Sequence, residues 1–374
     1  MGFYFYYCNK IRTLKKIIVT VTNDLSTDQR VDKVCTTLLN DGYRVLLIGR
    51  KLKNSIPISR DYKTKRIQLL FNQGFLFYAE FNFRIFLLLF FSKKDILLSN
   101  DLDSLFANYA ISVLQNKKLV YDSHELFPEI PELVHRPYVK KFWTSLEKLV
   151  LPKLKNTYTV CKSIADYYNE RYATNFKIVR NLPTLKKVEV GKLPFSTDGK
   201  KIIIYQGALN IGRGLELMID AMEYLENYLL IIAGNGDIYT DLKERSKNKS
   251  VQDKVHFLGK LLPSELQKIT PLADIGLSLE EDLGLNYRYA LPNKIFDYIQ
   301  AEIPILVSDL PEMKQIVIKY KVGEIIQLRT PQRLAAQIQK MLKNEYSESI
   351  LKAKQELTWD HEKITLQNIF KNLR

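Results

Sequence analysis

Short apolar runs alternate with longer amphipathic segments through the first half of the chain. Runs of this length are typical of buried parallel strands, and the segments between them repeat apolar residues at helical spacing. This alternation predicts one parallel sheet covered by helices. Strands are predicted near Ile17–Thr22, Val45–Ile48, Ile96–Leu98 and Leu119–Tyr121, and helices near Asp28–Asn40, Phe75–Phe91 and Leu102–Leu114.

The second half of the chain repeats the same rhythm. Between the halves, residues 184–200 are charged, contain Gly191, Pro194 and Gly199, and lack periodicity, as is typical of an interdomain linker. The tail 359–374 is predicted to be an amphipathic helix that packs back on the first domain. Strands are predicted near Ile202–Tyr205, Leu229–Ile232, Val255–Leu258, Ile275–Leu279 and Ile305–Val307, with helices near Leu215–Leu225, Glu265–Ile269, Asn293–Ala301 and Pro311–Lys319.

The predicted fold class is therefore α/β, with two Rossmann-like, doubly wound parallel-sheet domains facing a cleft. The first domain covers residues 1–183 and the second covers residues 201–358. A chain of 374 residues with 46% apolar and 26% charged residues is long enough for two such cores.

The formal net charge of +15 implies a polyanionic partner. Nucleic-acid motifs are absent, so an anionic membrane face and phosphorylated substrates are the favoured partners. Aromatic residues followed by cations at the start of the chain suit a lipid headgroup interface. The alternative is a frayed lead-in to the first strand. The aromatic residues are Phe3, Tyr4, Phe5, Tyr6 and Tyr7, and the cations are Lys10, Arg12, Lys15 and Lys16.

The longest apolar run, Ile85 to Phe91, is much shorter than the about 20 residues that span a bilayer. Extended back to Gly74 it includes Glu80 and Arg84, and it is predicted to be a core helix rather than an interfacial one. No secretory signal is expected. The three cysteines have no CxxC spacing, so we expect no disulfide and a cytoplasmic location.

The stretch Ala290 to Asp309 combines a helix start with a cation and a carboxylate. Pro292 suits the first turn of a helix, and Asn293 and Lys294 follow it. A helix N-terminus attracts anions, and Lys294 adds a full positive charge for a phosphate. Asp297, one turn later, suits a ribose diol. This pattern suggests a nucleotide diphosphate, although such residues are also common as helix caps and solvated positions.

Three glycine turns follow predicted strands of the second domain. They contain Gly207, then Gly234 with Gly236, and then Gly259. Glycine lets backbone N–H groups approach phosphates, and Arg213, near the first turn, can make bidentate contacts to oxygens. Three such turns in one domain are more than a chance tight turn.

Strand ends of the first domain carry two polar segments. One contains Asp28 and Arg30, and the other contains His124 and Glu125. An Asp-x-His-Glu segment is compatible with a metal site or an acid–base pair, but the other histidines show no ligand spacing around it. We therefore expect no metal. Signatures of hydrolase triads, Walker loops and dinucleotide-binding loops are absent.

The chain resembles the retaining GT-B glycosyltransferases of family 4, also called group 1. Six blocks carry the resemblance in the order of the family: DQRVDKVCTTLLNDGYRVLLIGR, VYDSHELFPEIPEL, YQGALNIGRGLELMIDAM, IIAGNGD, VHFLGKL and ALPNKIFDYIQAEIPILVS. The resemblance implies a nucleotide-sugar donor held mainly by the second domain. It also implies retention of anomeric configuration and a departing phosphate that takes the acceptor proton.

The resemblance assigns roles to particular residues. It places Arg213 and Lys294 at the donor pyrophosphate, Asp297 at the ribose and His124 near the transferred sugar. Asp28, Arg30 and Glu125 are the acceptor-binding candidates, because they belong to strand-end segments that should face the cleft. Pro292, Asn293 and the glycines at 207, 234, 236 and 259 complete the expected donor site. Tyr289 and Ala208 depart from the usual Glu and Arg of the family.

The predicted function is transfer of a sugar to a glycan or lipid-linked acceptor, in bacterial cell-surface polysaccharide or glycoconjugate assembly. Cationic side chains and a helix dipole would stabilise the leaving diphosphate, so the predicted enzyme is metal-independent and needs no cofactor. The predicted location is the cytoplasm, with peripheral contact to the inner membrane face. Two alternatives are a non-catalytic nucleotide-sugar or polyanion-binding module and a GT-B nucleotide-sugar epimerase.

Overall fold

The structure is a computed structural model that describes residues 14–26, 28–130, 133, 136–185 and 189–373. The aromatic and basic residues predicted to contact a membrane between positions 3 and 12 lie outside the described residues. The contacts between residues divide the chain into two compact units. Unit 1 contains Met1–His124, Leu146–Tyr158 and Thr365–Arg374, and unit 2 contains Glu125–Ser145 and Thr159–Ile364.

The first sheet has the strand order β3-β2-β1-β4-β5-β6-β7 among the described residues. Strands β1 to β5 pair in parallel. The strands are β1 Lys16–Asp24, β2 Arg44–Lys51, β3 Lys63–Gln68, β4 Ile96–Asn100, β5 Lys118–Ser123, β6 Asn156–Thr159 and β7 Lys177–Ile178. The helices of this half are α1 Gln29–Asn40, α2 Gly74–Phe91, α3 Leu102–Leu114, α4 Pro137–Val150 and α5 Lys162–Tyr172.

The second sheet has the order β10-β9-β8-β11-β12-β13 and is parallel throughout. Its strands are β8 Lys201–Gln206, β9 Tyr228–Ala233, β10 Val255–Gly259, β11 Ile275–Ser278, β12 Ile305–Val307 and β13 Gly323–Ile325. The helices are α6 Leu215–Ala221, α7 Tyr239–Asn248, α8 Pro263–Ile269, α9 Leu285–Arg288, α10 Asn293–Gln300, α11 Pro311–Tyr320, α12 Pro331–Met341, α13 Ser347–Glu356 and α14 Trp359–Lys371.

Both sheets confirm the predicted α/β fold class, because each has a central strand at which the order reverses, as in Rossmann-like folds. Strand β8 is apolar at successive positions because both of its faces are buried. Ile203 and Tyr205 lie in one core cluster, whereas Ile202 and Ile204 lie in another. Alternate side chains of a strand point to opposite faces, so both faces of this sheet are covered.

Strand β3 was not predicted, because its sequence KTKRIQ is mostly charged and polar. It lies at the edge of its sheet, and Lys63 and Lys65 on it are exposed. Charged residues are common on edge strands because they disfavour pairing with another chain. The strands β6, β7 and β13 and the helices α4, α5, α7, α9, α12 and α13 were also not predicted.

Helix α2 was predicted correctly as a helix but wrongly as a core helix. Only four of its 18 residues are buried, namely Phe77, Phe81, Ile85 and Leu89. These four recur at intervals of four residues and so form one narrow stripe. By length and composition alone the helix is long and apolar enough to cross a membrane, which the count of consecutive apolar residues had missed.

The end of the C-terminal helix packs within unit 1, as predicted. Leu366 and Phe370 are fully buried. The Tyr43 hydroxyl donates a hydrogen bond of 2.9 Å to the carbonyl oxygen of Phe370, and the two rings meet edge to face. Residues 184–185 and 189–200 contain no helix or strand. The interdomain boundary after residue 183 stays a prediction.

Candidate functional site

The three predicted glycine turns lie side by side at the carboxyl edge of the second sheet. The N–H of Gly207 donates to the carbonyl of Ala233 (3.0 Å), and the N–H of Gly234 donates to the carbonyl of Gly259 (2.8 Å). A Cβ atom at Gly234 would lie 1.8 Å from the carbonyl oxygen of Gly207. Glycine is therefore required at 234 by contact between the turns themselves.

Gly236 and Gly259 have different surroundings. A Cβ atom at Gly236 would lie 2.4 Å from the carbonyl oxygen of Leu209, so this glycine also serves the packing of one turn on another. Gly259 has a positive φ of 69°, and no atom lies within 4 Å of the position that its Cβ would occupy. Its backbone conformation favours glycine, and the space beside it is open.

The turn after β8 lies at the point where the strand order reverses. Strand β8 pairs with β9 on one side and with β11 on the other. Gly207 follows β8, and Leu279 and Glu280 follow β11. In open α/β sheets, ligands bind in the crevice outside the carboxyl ends of the strands at such a switch point.

Lys294 reaches this switch point from the first turn of α10. Pro292 is the N-cap residue and Asn293 is the first helical residue, so the proline lies one position earlier than predicted. A Cβ atom at Gly207 would lie 3.8 Å from Lys294 Nζ, and the same ammonium lies 4.0 Å from the centroid of the Tyr205 ring. The predicted glycine turn and the predicted cation are therefore neighbours.

Glu280 is the residue that the sequence analysis missed. It is buried, with 1% of its surface exposed. Its Oε1 accepts a hydrogen bond of 2.8 Å from Lys294 Nζ, and its Oε2 accepts one of 2.7 Å from the Ser278 hydroxyl. The acidic segment Glu280-Glu281-Asp282 directly after a buried strand was the signal available in the sequence.

The ionisation of Glu280 is controlled by its cationic neighbours. Burial alone would raise the pKa of this carboxyl group, since the charged form is poorly solvated. The charges of Lys294 and Arg213, with the hydrogen bonds from Lys294 and Ser278, hold the pKa below its usual value instead. Glu280 is therefore held as an anion, and Lys294 and Arg213 are its two cationic neighbours.

Arg213 is the second cation beside Oε1 of Glu280. Its Nη1 lies 3.5 Å from Glu280 Oε1, and its guanidinium lies over the Tyr287 ring at 4.8 Å from the centroid. Arg213 makes no hydrogen bond to any described residue, and its buried Nε has no partner there. The guanidinium is thus fixed by charge and stacking, while its hydrogen-bonding capacity stays unused.

Asp297 lies beside the end of β8. Its Oδ2 accepts a hydrogen bond of 2.9 Å from Gln206 Nε2, and Gln206 Oε1 accepts one of the same length from the Thr270 hydroxyl. These contacts hold Asp297 one turn after Lys294 on the helix that follows the switch point. The predicted donor residues of unit 2 are therefore brought to one place by the fold.

The predicted residues of unit 1 form a separate cluster of charges. Arg30 is buried and makes a bidentate contact with Asp122, through Nε at 3.0 Å and Nη2 at 2.8 Å. Asp28 caps helix α1, because its Oδ1 accepts from the N–H of Val31 at 3.0 Å. Both acceptor-binding candidates thus have structural contacts, and their contact with an acceptor stays a prediction.

His124 lies between two carboxylates. Its Nδ1 is 3.0 Å from Asp101 Oδ2, and its Nε2 is 3.0 Å from Asp122 Oδ2. Burial would lower the pKa of the imidazole, but Asp101 and Asp122 raise it well above the usual value. Burial would raise the pKa of Asp122, yet Arg30 and His124 lower it to about 2. Histidine 124 is therefore held as an imidazolium.

Glu125, the third acceptor-binding candidate, belongs to unit 2. Its Oε2 accepts a hydrogen bond of 3.1 Å from Asn286 Nδ2. Among the described residues, no three or more His, Cys, Asp and Glu side chains form a group that could hold a metal ion.

Comparisons with known proteins agree with this geometry. Residues 192–357, which contain the switch point, match the family model described as Glycosyl transferases group 1. The chain is 30% identical over 100 residues to an alpha-monoglucosyldiacylglycerol synthase of Streptococcus pneumoniae, a match that covers 25% of this chain and 23% of the relative. The chain spans between about a quarter and a half of the length of the curated relatives that it matches.

Solved structures share the fold over almost the whole chain. A sucrose-phosphate synthase from Thermosynechococcus elongatus has a TM-score of 0.80 at 16% identity, covering 96% of this chain and 99% of that one. The Anabaena protein Alr3699/HepE in complex with UDP and glucose has a TM-score of 0.73 at 12% identity, covering 96% and 100%. Residues 192–357 therefore form a glycosyl transferases group 1 domain, in a chain whose two parallel sheets have the fold of GT-B glycosyltransferases.

Proposed function

We propose that this protein is a retaining glycosyltransferase of family 4. It moves a sugar from a nucleoside diphosphate sugar to a glycan or lipid-linked acceptor. Its role is the assembly of bacterial cell-surface polysaccharide or glycoconjugates, and it acts in the cytoplasm at the inner face of the membrane.

One observation carries the donor assignment, namely the charge cluster of Arg213, Lys294 and Glu280 beside Gly207 at the switch point of the second sheet. Two cations around one carboxylate leave a net positive charge where an α/β sheet binds its ligand. A diphosphate is the anion that fits this position, and Asp297 one helical turn away suits the ribose of the same nucleotide.

In the proposed chemical step, negative charge develops on the departing diphosphate. The bond between the anomeric carbon and the β-phosphate oxygen breaks, and the acceptor oxygen bonds to the same face of that carbon. The acceptor proton passes to the departing phosphate. Arg213, Lys294 and the N-terminus of α10 stabilise the developing charge, since preorganised donors and dipoles act strongly in a site that excludes water. The step needs neither an enzyme nucleophile nor a metal ion.

The relatives support the substrate classes. The Anabaena structure holds UDP and glucose, which supports a nucleotide-sugar donor here. The name of the Streptococcus pneumoniae relative denotes synthesis of a glycosylated diacylglycerol, which supports a lipid acceptor.

The first experiment is a thermal-shift series with UDP, GDP, CDP and ADP. A nucleotide at 100 times its dissociation constant stabilises the fold by about 2.7 kcal/mol, so the correct base will stand out from the other three. Transfer from the corresponding donor sugars is then measured with and without EDTA. Activity that survives chelation supports the proposal, whereas binding without any turnover favours a non-catalytic nucleotide-sugar module.

A further inference from the structure

Helix α2 presents an apolar surface that the proposed reaction does not use. Its exposed residues, apart from Gly74, are all apolar, and the buried stripe faces the other way. We call this surface the α2 face. It consists of the exposed side chains Phe75, Leu76, Phe83, Leu87, Phe90 and Phe91.

The α2 face is unusual for this chain. Four of the seven phenylalanines that are exposed among the described residues belong to this face, namely Phe75, Phe83, Phe90 and Phe91. Phe83 is 64% exposed and Phe91 is 81% exposed. Contiguous exposed apolar surface of this kind marks an interaction site, because isolated exposed apolar residues are common and clusters are not.

The face is held in place rather than loosely attached. Asn82 Nδ2 donates a hydrogen bond of 2.7 Å to the carbonyl of Asp103, and Asn82 Oδ1 accepts one of 3.2 Å from the N–H of Ala107. Gln115 Nε2 donates to the carbonyl of Phe90 at 2.9 Å. Helix α3 therefore fixes α2 at its middle and at its end.

The sequence on either side of α2 is rich in positive charge. Residues 44–118 contain 13 Lys and Arg against 5 Asp and Glu. Exposed Lys93 follows Phe91 at one end of the helix, and the Arg50 guanidinium lies 4.8 Å from the Phe77 ring centroid at the other end. The single acid of α2, Glu80, accepts hydrogen bonds from the N–H groups of Leu70 and Phe71 and pairs with Arg84.

We propose that the α2 face docks the protein onto an anionic lipid bilayer, with α2 lying in the plane of the interface. Phenylalanine and leucine side chains enter the boundary between headgroups and acyl chains, and the flanking cations contact lipid phosphates. A protein partner fits less well, since protein interfaces carry about one hydrogen bond per 100–200 Å² and the exposed side chains of α2 offer none.

The proposal rests on the proposed function in one respect: a lipid-linked acceptor meets the enzyme at the membrane surface onto which α2 docks. The α2 face is also distinct from the aromatic residues near the start of the chain. Its test therefore uses neither donor nor acceptor, so that a failure of docking and a failure of transfer are separate results.

The test is co-sedimentation of the full chain with vesicles. One set contains phosphatidylcholine alone, and the other contains equal parts of phosphatidylcholine and phosphatidylglycerol. The variant F83Q/L87Q/F91Q removes apolar surface while keeping good helix formers at each position. The matched control I318Q/L328Q/L351Q makes the same kind of change at exposed apolar residues of unit 2. Circular dichroism melting curves check that both variants are folded.

The parent and the control are expected to bind the anionic vesicles, more weakly at high salt. F83Q/L87Q/F91Q is expected to bind roughly tenfold more weakly, because less apolar surface is buried. Three results would overturn the proposal. The first is that F83Q/L87Q/F91Q binds vesicles as well as the parent does. The second is that F3S/Y4S/F5S loses binding while F83Q/L87Q/F91Q loses none. The third is that the parent binds no vesicle but forms dimers, and that F83Q/L87Q/F91Q does not form them.

Discussion

The ammonium of Lys294 lies 2.8 Å from the carboxylate of Glu280, and both side chains are almost completely buried. The cation that the sequence predicts for a diphosphate therefore already has an anionic partner inside the fold. Arg213, with Nη1 3.5 Å from the same carboxylate, is less tightly paired, and its side chain is 24% exposed. We infer that Arg213 makes the stronger contact with phosphate and that Glu280 fixes the position of both cations.

We expect Glu280→Gln to destabilise the fold. Removing the counter-ion of a buried lysine typically lowers the free energy of unfolding by about 3–5 kcal/mol. Replacing both partners by uncharged groups lowers it much less. Denaturant unfolding of E280Q and of the double variant E280Q/K294M measures this difference. Equal stability of E280Q and the parent would mean that the pair contributes little.

The same variant has a predicted pH signature. The folded pKa of Glu280 is lowered, so its contribution to stability is present above the unfolded value near 4.5 and is lost as the pH falls through the folded value. Stability of the parent minus that of E280Q should therefore shrink with acidification below about pH 4.5. A difference that stays constant over that range would contradict the assignment.

We expect His124 to be an imidazolium at neutral pH. Its folded pKa is raised by Asp101 and Asp122, so its stabilising charge is fully present below the unfolded value of about 6.5 and is lost only as the pH rises through the folded value. NMR titration of the histidine ring signals measures this directly. Asp101→Asn should lower the pKa of His124, and His256, whose pKa is lowered by burial, is the internal reference.

Much of the fold was predictable, because short runs of apolar residues indicate strands that are buried on both faces of a parallel sheet. Strand β8, the helix from Asn293 and the C-terminal helix follow directly from that signal. Strand β3 did not, since an edge strand need not be apolar. The exposure of α2 was also missed, because an apolar helix that is buried and one that is displayed have the same composition.

The site was predictable as far as local motifs reach. Gly207, Arg213, Lys294 and Asp297 were singled out as candidates because helix starts and glycine turns have recognisable sequences. Glu280 was not, because its role depends on contacts with residues 67 and 14 positions away in the chain, across the strand order of the sheet. The acidic segment after β11 marks the position of Glu280, but sequence spacing does not identify its cationic partners.

We predict that limited proteolysis of the native protein first cuts between residues 184 and 200. The described part of this segment contains no helix or strand, and exposed irregular segments are preferred protease sites. N-terminal sequencing of the first fragments locates the cut. An early cut inside α2 or α10 would contradict the predicted boundary.

We expect Asp297→Ala to raise the Michaelis constant for the donor more than it lowers turnover. A ribose contact is made equally in the ground state and the transition state, so its loss is mainly a loss of uniform binding. Asp297→Asn keeps an acceptor for Gln206 Nε2 and separates the effect of charge from that of shape. Asp309→Ala, which removes an exposed acid paired with Lys314, is the control and should leave both constants unchanged.

The last prediction assigns the chemical step to the two cations. If Arg213 and Lys294 meet charge that grows as the diphosphate leaves, Arg213→Ala and Lys294→Ala should each lower turnover by roughly 100-fold to 1,000-fold, the scale for one preorganised electrostatic contact. Steady-state kinetics with the identified donor measure this, beside nucleotide titrations that report ground-state affinity.

Controls separate chemistry from folding at both positions. Arg213→Lys keeps the charge but loses the planar stacking on Tyr287, so it should recover only part of the turnover. E280Q/K294M removes the buried pair without leaving an unpaired charge, so a low turnover in this double variant reflects the missing ammonium rather than a damaged fold. Lys314→Ala removes an exposed cation of the same unit and should be silent. Parental turnover in both Arg213→Ala and Lys294→Ala would place the chemistry elsewhere, because neither cation would then be stabilising the leaving group.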